Sequence, residues 1–253
     1  LMSDIYLFDV DGTLTPAKSK INPSFSKFFQ RWIDTKEVYI VSGGTFVRIV
    51  DQLGLDIANM TSGVFPCMGN MFYQKRDQIN ENGYSEWEII YENKFNGAKN
   101  LLRSLNSYVT RSDFPIKTGT HWEKRPGMMN FSIVGVDATP EQRQKFKDWD
   151  DNLRERERIV NKLSKKYPEI DFVIGGAVSI DIFDKGNDKA QVIPRYFVEA
   201  LEHNHIHFIG DRISFPGNDH SLAQALREHR NGTVYEVQSW RDTEQLLKTD
   251  AFA

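Results

Sequence analysis

The residues with the clearest chemical potential are Asp9 and Asp11, which follow the apolar run 5–8. A strand ending here would place both side chains on one face, because alternate residues of a strand point the same way. Two neighbouring carboxylates repel each other unless a cation lies between them, and hard oxygen ligands suit Mg²⁺. One carboxylate could attack phosphorus while the other carries a proton for the attacking or leaving oxygen. The pair therefore predicts a metal-assisted phosphotransfer site.

The surrounding segment 8–15, FDVDGTLT, supports this interpretation. Gly12 lets the backbone turn sharply after the strand, and Thr13 supplies a hydroxyl. Open α/β sheets bind ligands beyond the carboxyl ends of their strands, so the position suits a site. The segment resembles the first motif of the haloacid dehalogenase-like (HAD) phosphotransferases. That resemblance implies three further signatures at strand ends: a Ser or Thr, a Lys, and a second acidic cluster.

The Ser and Lys signatures follow in the expected order. Ser42 and Gly43 come after the β-branched run 38–41, where Ser42 could donate to a phosphate oxygen beside a helix N-terminus. Lys189 opens another amphipathic pattern and could neutralise a phosphoryl group together with the nucleophile. Alone, Ser-Gly-Gly is an ordinary turn and Asp-Lys an ordinary surface helix cap. Their order after the first motif favours the HAD interpretation.

The second acidic cluster follows the apolar run 206–209. Asp211 is a natural third oxygen ligand for Mg²⁺ at this strand end. Asn218 and Asp219 could complete the ligand shell directly or through water, since Mg²⁺ keeps some of its waters. The metal set predicted from these motifs is Asp9, Asp11, Asp211, Asn218 and Asp219.

An α/β fold with a HAD Rossmann-like, doubly wound parallel core would position these motifs. We expect core strands near 4–9, 38–42, 63–65, 206–209 and 233–237, and helices at 23–34, 45–53, 219–229 and 241–248. Asn22 and Pro23 form a good start signal for the first of these helices. Its apolar stripe is typical of a core-facing helix.

The stretch between Ser42 and Lys189 is far too long for a loop. It predicts helices at 94–107 and 139–166 and strands at 118–124, 128–134, 171–175 and 178–183. This order implies an inserted α+β cap domain, an antiparallel sheet with helices on one face. We therefore expect a discontinuous core at 1–90 and 187–253, a cap at 91–186, and hinges around 88–92 and 184–188.

The cap resembles the type IIB HAD subgroup, and its details are similar to the eukaryotic-type phosphomannomutase family over nearly the whole chain. Residues 125–130 read RPGMMN, against R-N-G-M-L-N in the family. Residues 175–183 read GGAVSIDIF, against G-G-Q-I-S-F-D-V-F. The other matching segments are 9–15, 188–189, 210–211 and 216–220.

The resemblance implies two successive phosphoryl transfers. Asp9 would accept the phosphoryl group, Asp11 would give and take the hydroxyl proton, and Lys189 would complete the catalytic set. Magnesium would be held by Asp9, the backbone carbonyl of Asp11, and Asp211. A sugar 1,6-bisphosphate would serve as intermediate and activator. The implied function is interconversion of mannose 6-phosphate and mannose 1-phosphate, with glucose phosphates left open as further substrates.

The resemblance also implies how the sugar phosphate is held. Arg125 and Arg143 would grip the distal phosphate, meaning the one not being transferred, through planar donor forks. Ser179 and Asp181 would bond sugar hydroxyls; without the family pattern, their alternation could equally mark a solvated sheet face. The implied substrate-binding set is Lys18, Ser42, Gly43, Arg125, Asn130, Arg143, Ser179 and Asp181.

Several positions depart from the family pattern. Val136 stands where the family has a further phosphate-binding arginine, and Lys18 replaces an arginine, which loses the bidentate fork. Residues 66–69, PCMG, replace a P-E-N-G turn, and Ser42-Gly43-Gly44 is more similar to hydrolytic HAD enzymes. A sugar-phosphate phosphatase is therefore an alternative. A catalytically silent binding protein on the same fold is a third reading, disfavoured by the intact acidic and Lys signatures.

Bulk properties exclude several classes of function. The 253 residues carry a net charge of −3 with mixed signs, which argues against nucleic acid or an anionic membrane as a partner. The single cysteine, Cys67, allows no intrachain disulfide and fits a reducing cytosol. Apolar runs are short and the chain opens without a signal-peptide pattern, so we expect a cytoplasmic protein. A small-molecule hexose phosphate is the expected partner, with a homodimer through the cap.

The alternating His203, His205 and His207 raise a further question. They could form a soft-metal site, but edge or surface histidines are the simpler interpretation. We expect His205 to face away from the other two.

Overall fold

A computed structural model describes residues 3–83 and 85–252. Its strands are β1 Ser3–Phe8, β2 Glu37–Val41, β3 Gly63–Phe65, β4 Met71–Ile79, β5 Ser85–Glu92, β6 Trp122–Arg125, β7 Met128–Ser132, β8 Ile170–Gly175, β9 Ser179–Asp184, β10 Asn204–Gly210 and β11 Gly232–Glu236. Its α-helices are α1 Pro23–Ile33, α2 Phe46–Leu53, α3 Leu55–Met60, α4 Leu101–Arg111, α5 Pro140–Leu153, α6 Glu155–Lys166, α7 Val198–His203, α8 His220–Arg227 and α9 Trp240–Leu247.

Seven strands form the core sheet, in the order β11-β10-β1-β2-β3-β4-β5. The first five are parallel, and β4 and β5 join antiparallel at one edge. The carboxyl ends of β1, β2 and β10 therefore meet at one edge of the sheet. The motifs that follow these three strands are brought together for this reason, as the sequence predicts.

Both faces of the core sheet are covered, because successive side chains of β1 point to opposite sides. Tyr6 and Phe8 pack in a cluster with α1 and α9, whereas Ile5 and Leu7 pack in another with α7 and α8. The doubly wound α/β core predicted from the sequence is confirmed.

The start of α1 also follows its sequence signal. The Asn22 side chain accepts the N–H groups of Ser24 and Phe25, and Pro23 occupies the first turn. These contacts satisfy backbone donors that lack partners inside the helix. The buried face carries Phe25, Phe29, Trp32 and Ile33.

Four antiparallel strands form the sheet of the cap, in the order β6-β7-β9-β8. One face packs against α4, α5 and α6, with Phe131 and Ile180 among its buried residues. The opposite face carries Asn130 and Asp181 and lies toward the core. An antiparallel sheet with helices on one face is thus confirmed.

Several element boundaries differ from the sequence prediction. The helix expected at 94–107 is α4, which begins at Leu101, and the strand expected at 118–124 is β6, which begins at Trp122. The long helix expected at 139–166 is two helices, because Arg154 takes a left-handed conformation, φ 52°. The Asp150 side chain accepts the Arg156 N–H at 2.9 Å, and so satisfies a free donor where α6 begins.

The hairpin β4–β5 was not predicted, and it lengthens the core sheet. The first hinge, expected at 88–92, falls within β5. The pattern after Lys189 is not one helix either: a π-helix at Ile193–Phe197 precedes α7. Pro194 explains this, because proline lacks the N–H that an α-helix needs there. None of the helices in the two described segments combines the length and apolarity needed to cross a bilayer.

Candidate active site between the core and the cap

An acidic cluster marks the carboxyl edge of the core sheet. Asp9 follows β1, Asp211 follows β10, and Asp219 precedes α8, and ligand oxygens of all three lie within 4.8 Å of one another. Gly12 permits this approach: with φ 77°, it lies so close to Asp211 that a β-carbon would come within 2.2 Å of the carboxylate oxygen. A side chain at position 12 would therefore clash with the cluster.

Lys189 lies inside this cluster with no exposed surface. Its Nζ donates to Asp9 at 2.8 Å and to Asp219 at 2.7 Å. The other oxygen of Asp219 accepts the Arg212 backbone N–H at 3.0 Å. Asp219 has both oxygens engaged, so it is better placed to hold Lys189 than to bind a metal directly.

The protonation preferences of the cluster reflect its burial. Burial raises the pKa of Asp9 well above its usual range, and the charge of Asp219 raises it further. Burial and then Asp219 raise the pKa of Asp211 to about 7. Burial alone would lower the pKa of Lys189, but the two carboxylates outweigh it. A further cation would stabilise the ionised carboxylates here.

Two buried oxygens are also suited to a cation. Within the described residues, Asp211 Oδ1 and Asn218 Oδ1 are buried side-chain atoms without a hydrogen-bond partner. Buried polar atoms normally have partners, so such atoms call for a ligand. Together with Asp9 they offer hard oxygen ligands, and this donor set fits Mg²⁺.

Asp11 is oriented separately from the metal cluster. Its Oδ1 accepts the Lys18 backbone N–H at 2.8 Å and the Gln52 side-chain amide at 2.7 Å. Gln52 is buried and also donates to Thr15 at 3.2 Å. Both partners fix the carboxylate of Asp11 beside the nucleophile, in a position to exchange a proton with a bound hydroxyl.

The loop after β2 provides hydrogen-bond donors for a phosphoryl group. Ser42 Oγ accepts the Gly44 N–H at 3.1 Å, which leaves the Ser42 hydroxyl hydrogen to donate elsewhere. A β-carbon on Gly43 would come within 2.9 Å of Asp181 Oδ2 in the cap. The loop and the cap sheet are therefore in close contact, and a side chain at position 43 would obstruct it.

Several hydrogen bonds join the cap to the core, and three of them link the two halves of the site through pocket residues. Arg125 Nη1 donates to the Gly43 carbonyl at 2.6 Å. Asn218 Nδ2 donates to Asp181 Oδ2 at 3.0 Å, while Asn130 donates to Asp181 Oδ1 at 2.8 Å. The third link is a donation from Arg212 to the Gly176 carbonyl at 2.7 Å. The cap is thus closed over the core.

Basic side chains from both the cap and the core line this closed cleft. Arg125 is bound by Glu123 through Nε at 3.2 Å and Nη2 at 2.9 Å. No group among the residues that the structure describes hydrogen-bonds the buried Arg143 Nε, so it is available for an anion. Burial, followed by the charges of Arg125, Arg143 and Arg48, lowers the pKa of Lys18 to about 8.

The cleft between core and cap opens to solvent. It brings together Asp9, Asp11, Lys18, Ser42, Gly43, Arg48, Arg125, Asn130, Arg143, Ser179, Asp181 and Asn218. All eight residues predicted to bind the substrate therefore line one pocket, with the nucleophile and Asp11. Asp211, Asp219 and Lys189 lie beside Asp9, as the bonds above describe. The pocket thus joins the acidic cluster around Asp9 with basic side chains from both core and cap.

Sequence reasoning missed three residues of this site. Gln52 and Arg48 lie on α2, for which only the apolar residues of the sequence were considered. Gln52 comes three positions after Ile49 and so lies on the buried face of α2, which was an available signal of a buried polar contact. Arg156 is 2 % exposed and pairs with Asp150 at 2.6 Å. Its Nη1 donates to three carbonyls that shape the pocket loop, those of Gly175, Gly176 and Ser179. An arginine in a charge-rich helix gave no sequence signal.

The expectation for the histidines was partly wrong. The rings of His205 and His207 lie 4.7 Å apart, so these side chains share a face, as residues two apart on a strand must. His207 contacts Asp4 at 2.9 Å and Tyr235 at 3.3 Å. They lie along β10, before Gly210 at the strand end that carries the site.

Comparisons with known proteins agree with this geometry. Residues 25–252 match the family described as eukaryotic phosphomannomutase. A phosphomannomutase of Dendrobium officinale is 33 % identical over 225 residues, covering 88 % of this chain and 86 % of the relative. One of Drosophila melanogaster is 30 % identical over 247 residues, covering 96 % and 93 %.

A solved structure with similar architecture is a haloacid dehalogenase-like hydrolase from Bacteroides thetaiotaomicron. Its TM-score is 0.51 at 16 % identity, covering 88 % of this chain and 85 % of that one. At this identity the likeness concerns the fold alone, and it supports the HAD-type core and cap.

Proposed function

The chain belongs to the eukaryotic phosphomannomutase family, and from that premise we propose how its site acts. It is an enzyme, a phosphotransferase of the isomerase type. The proposed reaction is Mg²⁺-dependent interconversion of mannose 6-phosphate and mannose 1-phosphate, through an aspartyl phosphate and a sugar 1,6-bisphosphate. The observation that carries it is one pocket lined by both the buried nucleophile Asp9 and the basic side chains of Lys18, Arg48, Arg125 and Arg143.

Asp9 is the proposed nucleophile. Lys189 holds one of its oxygens at 2.8 Å, which orients the carboxylate. Mg²⁺, held by Asp9, the Asp11 backbone carbonyl and Asp211, would supply positive charge that keeps the carboxylates ionised and draws the phosphoryl oxygens in. Asn218 would offer its side-chain oxygen to the metal, directly or through water. Asp219 would hold Lys189 in place, because its two oxygens bind Lys189 and the Arg212 backbone.

The proton steps are assigned to Asp11. When phosphorylated Asp9 transfers its phosphoryl group to a sugar hydroxyl, Asp11 takes the hydroxyl proton. In the reverse transfer Asp9 attacks the phosphorus and Asp11 returns the proton to the leaving sugar oxygen. Because Gln52 and the Lys18 N–H both bind Oδ1, its other oxygen is the one proposed to carry the proton.

The two ends of the pocket account for the exchange of positions on the sugar. Arg125 and Arg143 bind the distal phosphate while the sugar hydroxyl at the other end reacts. The bisphosphate then turns over, so that its second phosphate faces Asp9. Ser179 and Asp181 share one face of β9 and are proposed to bond sugar hydroxyls in both orientations. Asp181 would exchange its bond to Asn218 or Asn130 for one to the sugar.

Hydrolysis of sugar phosphates is the second candidate. The observation that favours it is Val136, which stands where the family has a phosphate-binding arginine and does not line the pocket among the described residues. A weaker distal site would release the bisphosphate early and let water take the phosphoryl group. Glucose phosphates and a homodimer through the cap remain predictions.

One coupled assay distinguishes the candidates. Mannose 1-phosphate is supplied with and without glucose 1,6-bisphosphate, and formation of the 6-phosphate and of inorganic phosphate are measured in parallel. We expect isomerisation that depends on the bisphosphate and on Mg²⁺. Stoichiometric phosphate release without isomer would instead establish the phosphatase, and no turnover of either kind would exclude both.

A further inference from the structure

Arg48 is a basic pocket residue that the motifs above do not include. It lies on α2 of the core, and its side chain is 35 % exposed at the edge of the pocket. Its Nη2 lies 3.4 Å from Glu123 Oε1, on β6 of the cap. Arg48 therefore lines the pocket from the core side, whereas Arg125 and Arg143 line it from the cap.

Glu123 connects these arginines. Its Oε2 binds Arg125, while its Oε1 faces Arg48. Burial of Glu123 would raise its pKa, but Arg125, and less strongly Arg48 and Lys18, outweigh burial and lower it. The carboxylate thus stays ionised between two guanidinium groups. A phosphate group could bind in the same way, because a guanidinium group donates two parallel hydrogen bonds to carboxylate and phosphate oxygens alike.

Four basic side chains, Lys18, Arg48, Arg125 and Arg143, line the pocket together with the carboxylates Asp11 and Asp181. Three of the four, Arg125, Arg48 and Lys18, act on Glu123. Arg125, Arg143 and Arg48 are close enough to Lys18 to help lower its pKa. Within the described part of the chain, no group hydrogen-bonds the buried Arg143 Nε. Bringing an anion to these side chains would relieve repulsion among the cations.

We propose that Arg48 binds the distal phosphate in this enzyme. It supplies, from the core, the positive charge that the family pattern loses at Val136. Glu123 holds the Arg48 guanidinium toward the pocket until the phosphate binds it. Because the cations then come from both domains, a distal phosphate bridges core and cap and stabilises the closed state. The inference rests on the proposed hexose phosphate function.

The test compares Arg48→Gln with Arg48→Lys and with the control Arg31→Gln, an exposed arginine in the last turn of α1. Calorimetry measures binding of mannose 1-phosphate, and steady-state assays measure its KM and the activation constant of glucose 1,6-bisphosphate. We expect Arg48→Gln to weaken all three roughly tenfold, as for loss of a partly exposed charge-assisted bond. Arg48→Lys should recover part of the loss, and Arg31→Gln should match wild type.

A second probe reports on the other end of the pocket. Beryllofluoride, a phosphoryl mimic that binds the nucleophile, is titrated with Mg²⁺ and followed by ¹⁹F NMR. Arg48→Gln should bind it as wild type does, because Arg48 does not contact Asp9. Equal weakening of both ligands would point to a general structural defect and overturn the assignment, as would unchanged mannose 1-phosphate binding.

These outcomes are distinguishable from failure of the proposed function. If wild type binds beryllofluoride but neither binds nor turns over hexose phosphates, the proposed function is wrong and the inference falls with it. If wild type isomerises or hydrolyses mannose 1-phosphate and Arg48→Gln behaves like Arg31→Gln, only the inference is wrong.

Discussion

The core half of the site and its cap half are held in place by different kinds of contact. In the core, Asp9 and Asp211 follow adjacent parallel strands, and Lys189 binds Asp9 within the same domain. In the cap, Asp181 and Arg125 are bound by the cap residues Asn130 and Glu123 and also by the core, through Asn218 and the Gly43 carbonyl. The core half is therefore complete within one domain, whereas the cap half gains part of its contacts only when the cap is closed.

This difference predicts that the core half carries out the chemical step and that the cap half binds the distal phosphate. Changes in the core half should remove the chemical step, because no other group can replace a buried nucleophile or proton carrier. Changes in the cap half should weaken binding of the distal phosphate and leave the first transfer largely intact. Variants in each half can test these separate roles, and the largest effect is expected at the nucleophile.

Asp9→Asn should reduce turnover by on the order of 10⁴–10⁶-fold, the range seen when a nucleophile is removed. The amide cannot form the aspartyl phosphate, so trapping with radiolabelled phosphate donor should also disappear. The measurement is steady-state turnover with trapping on the intact protein, and a thermal melt confirms that the variant is folded. Full activity in this variant would contradict the assignment of the core half.

Asp11→Asn should lower the rate by about 10²–10⁴-fold, the contribution of general acid–base catalysis. Its Mg²⁺ requirement should stay near that of wild type, because only the Asp11 backbone carbonyl is assigned to the metal. Asp211→Ala is the matched variant and should raise the Mg²⁺ concentration needed for half-maximal activity. Titration of Mg²⁺ in both variants checks this, and an unchanged requirement in Asp211→Ala would contradict the metal assignment.

Arg125→Ala and Arg143→Ala test the cap half. Loss of one charge-assisted anchor costs about 1.5–3 kcal/mol, or roughly tenfold to a hundredfold. Isomerisation should fall more than release of inorganic phosphate, because the bisphosphate escapes before it can turn. Parallel assays of 6-phosphate formation and phosphate release measure the ratio. A proportional fall of both activities would show that cap and core act on the same step.

His207→Gln tests a part of the core outside the site and should have the smallest effect. Burial lowers the pKa of His207, and Asp4 only partly opposes this. The folded state therefore favours neutral imidazole, and its contribution to stability is present above the unfolded pKa of about 6.5 and is lost as pH falls. Between pH 7 and pH 5 the variant should lose less thermal stability than wild type, a difference below about 4 °C.

Activity at pH 7.5 should not change in the His207→Gln variant, since its partners Asp4 and Tyr235 take no part in the site. Calorimetric melting across pH, with activity assays at pH 7.5, gives both values. A large loss of activity without loss of stability would show that His207 contributes to the active site.

Much of the core half was predictable from sequence because its information is local. A motif directly after an apolar strand specifies the residue, its distance from the strand end and its direction. Parallel pairing of β1 with β2 and β10 then brings Asp9, Ser42 and Asp211 together without further contacts. The fold class, the doubly wound core and the antiparallel cap sheet followed from the same kind of pattern.

The residues that sequence reasoning missed depend on contacts between distant segments. Gln52 binds Asp11 from 41 positions away, and Arg156 binds carbonyls 19 to 23 positions away. The division of the expected helix 139–166 likewise follows from a side-chain contact, that of Asp150 with the start of α6. Periodicity and propensity do not record such contacts, because both describe one segment of the chain at a time.

By itself, the sequence determined the identity and order of the chemical groups, since strand-end motifs position Asp9, Ser42 and Asp211 through local backbone geometry. Tertiary structure alone decided that both oxygens of Asp219 are engaged, by Lys189 and by the Arg212 backbone. It also decided that Arg48 lines the pocket and that Glu123 lies between Arg48 and Arg125. The physical reason is that the hydrogen-bond partners and the pKa of a side chain depend on its burial and on nearby charges. Many of those charges come from segments that only folding brings together.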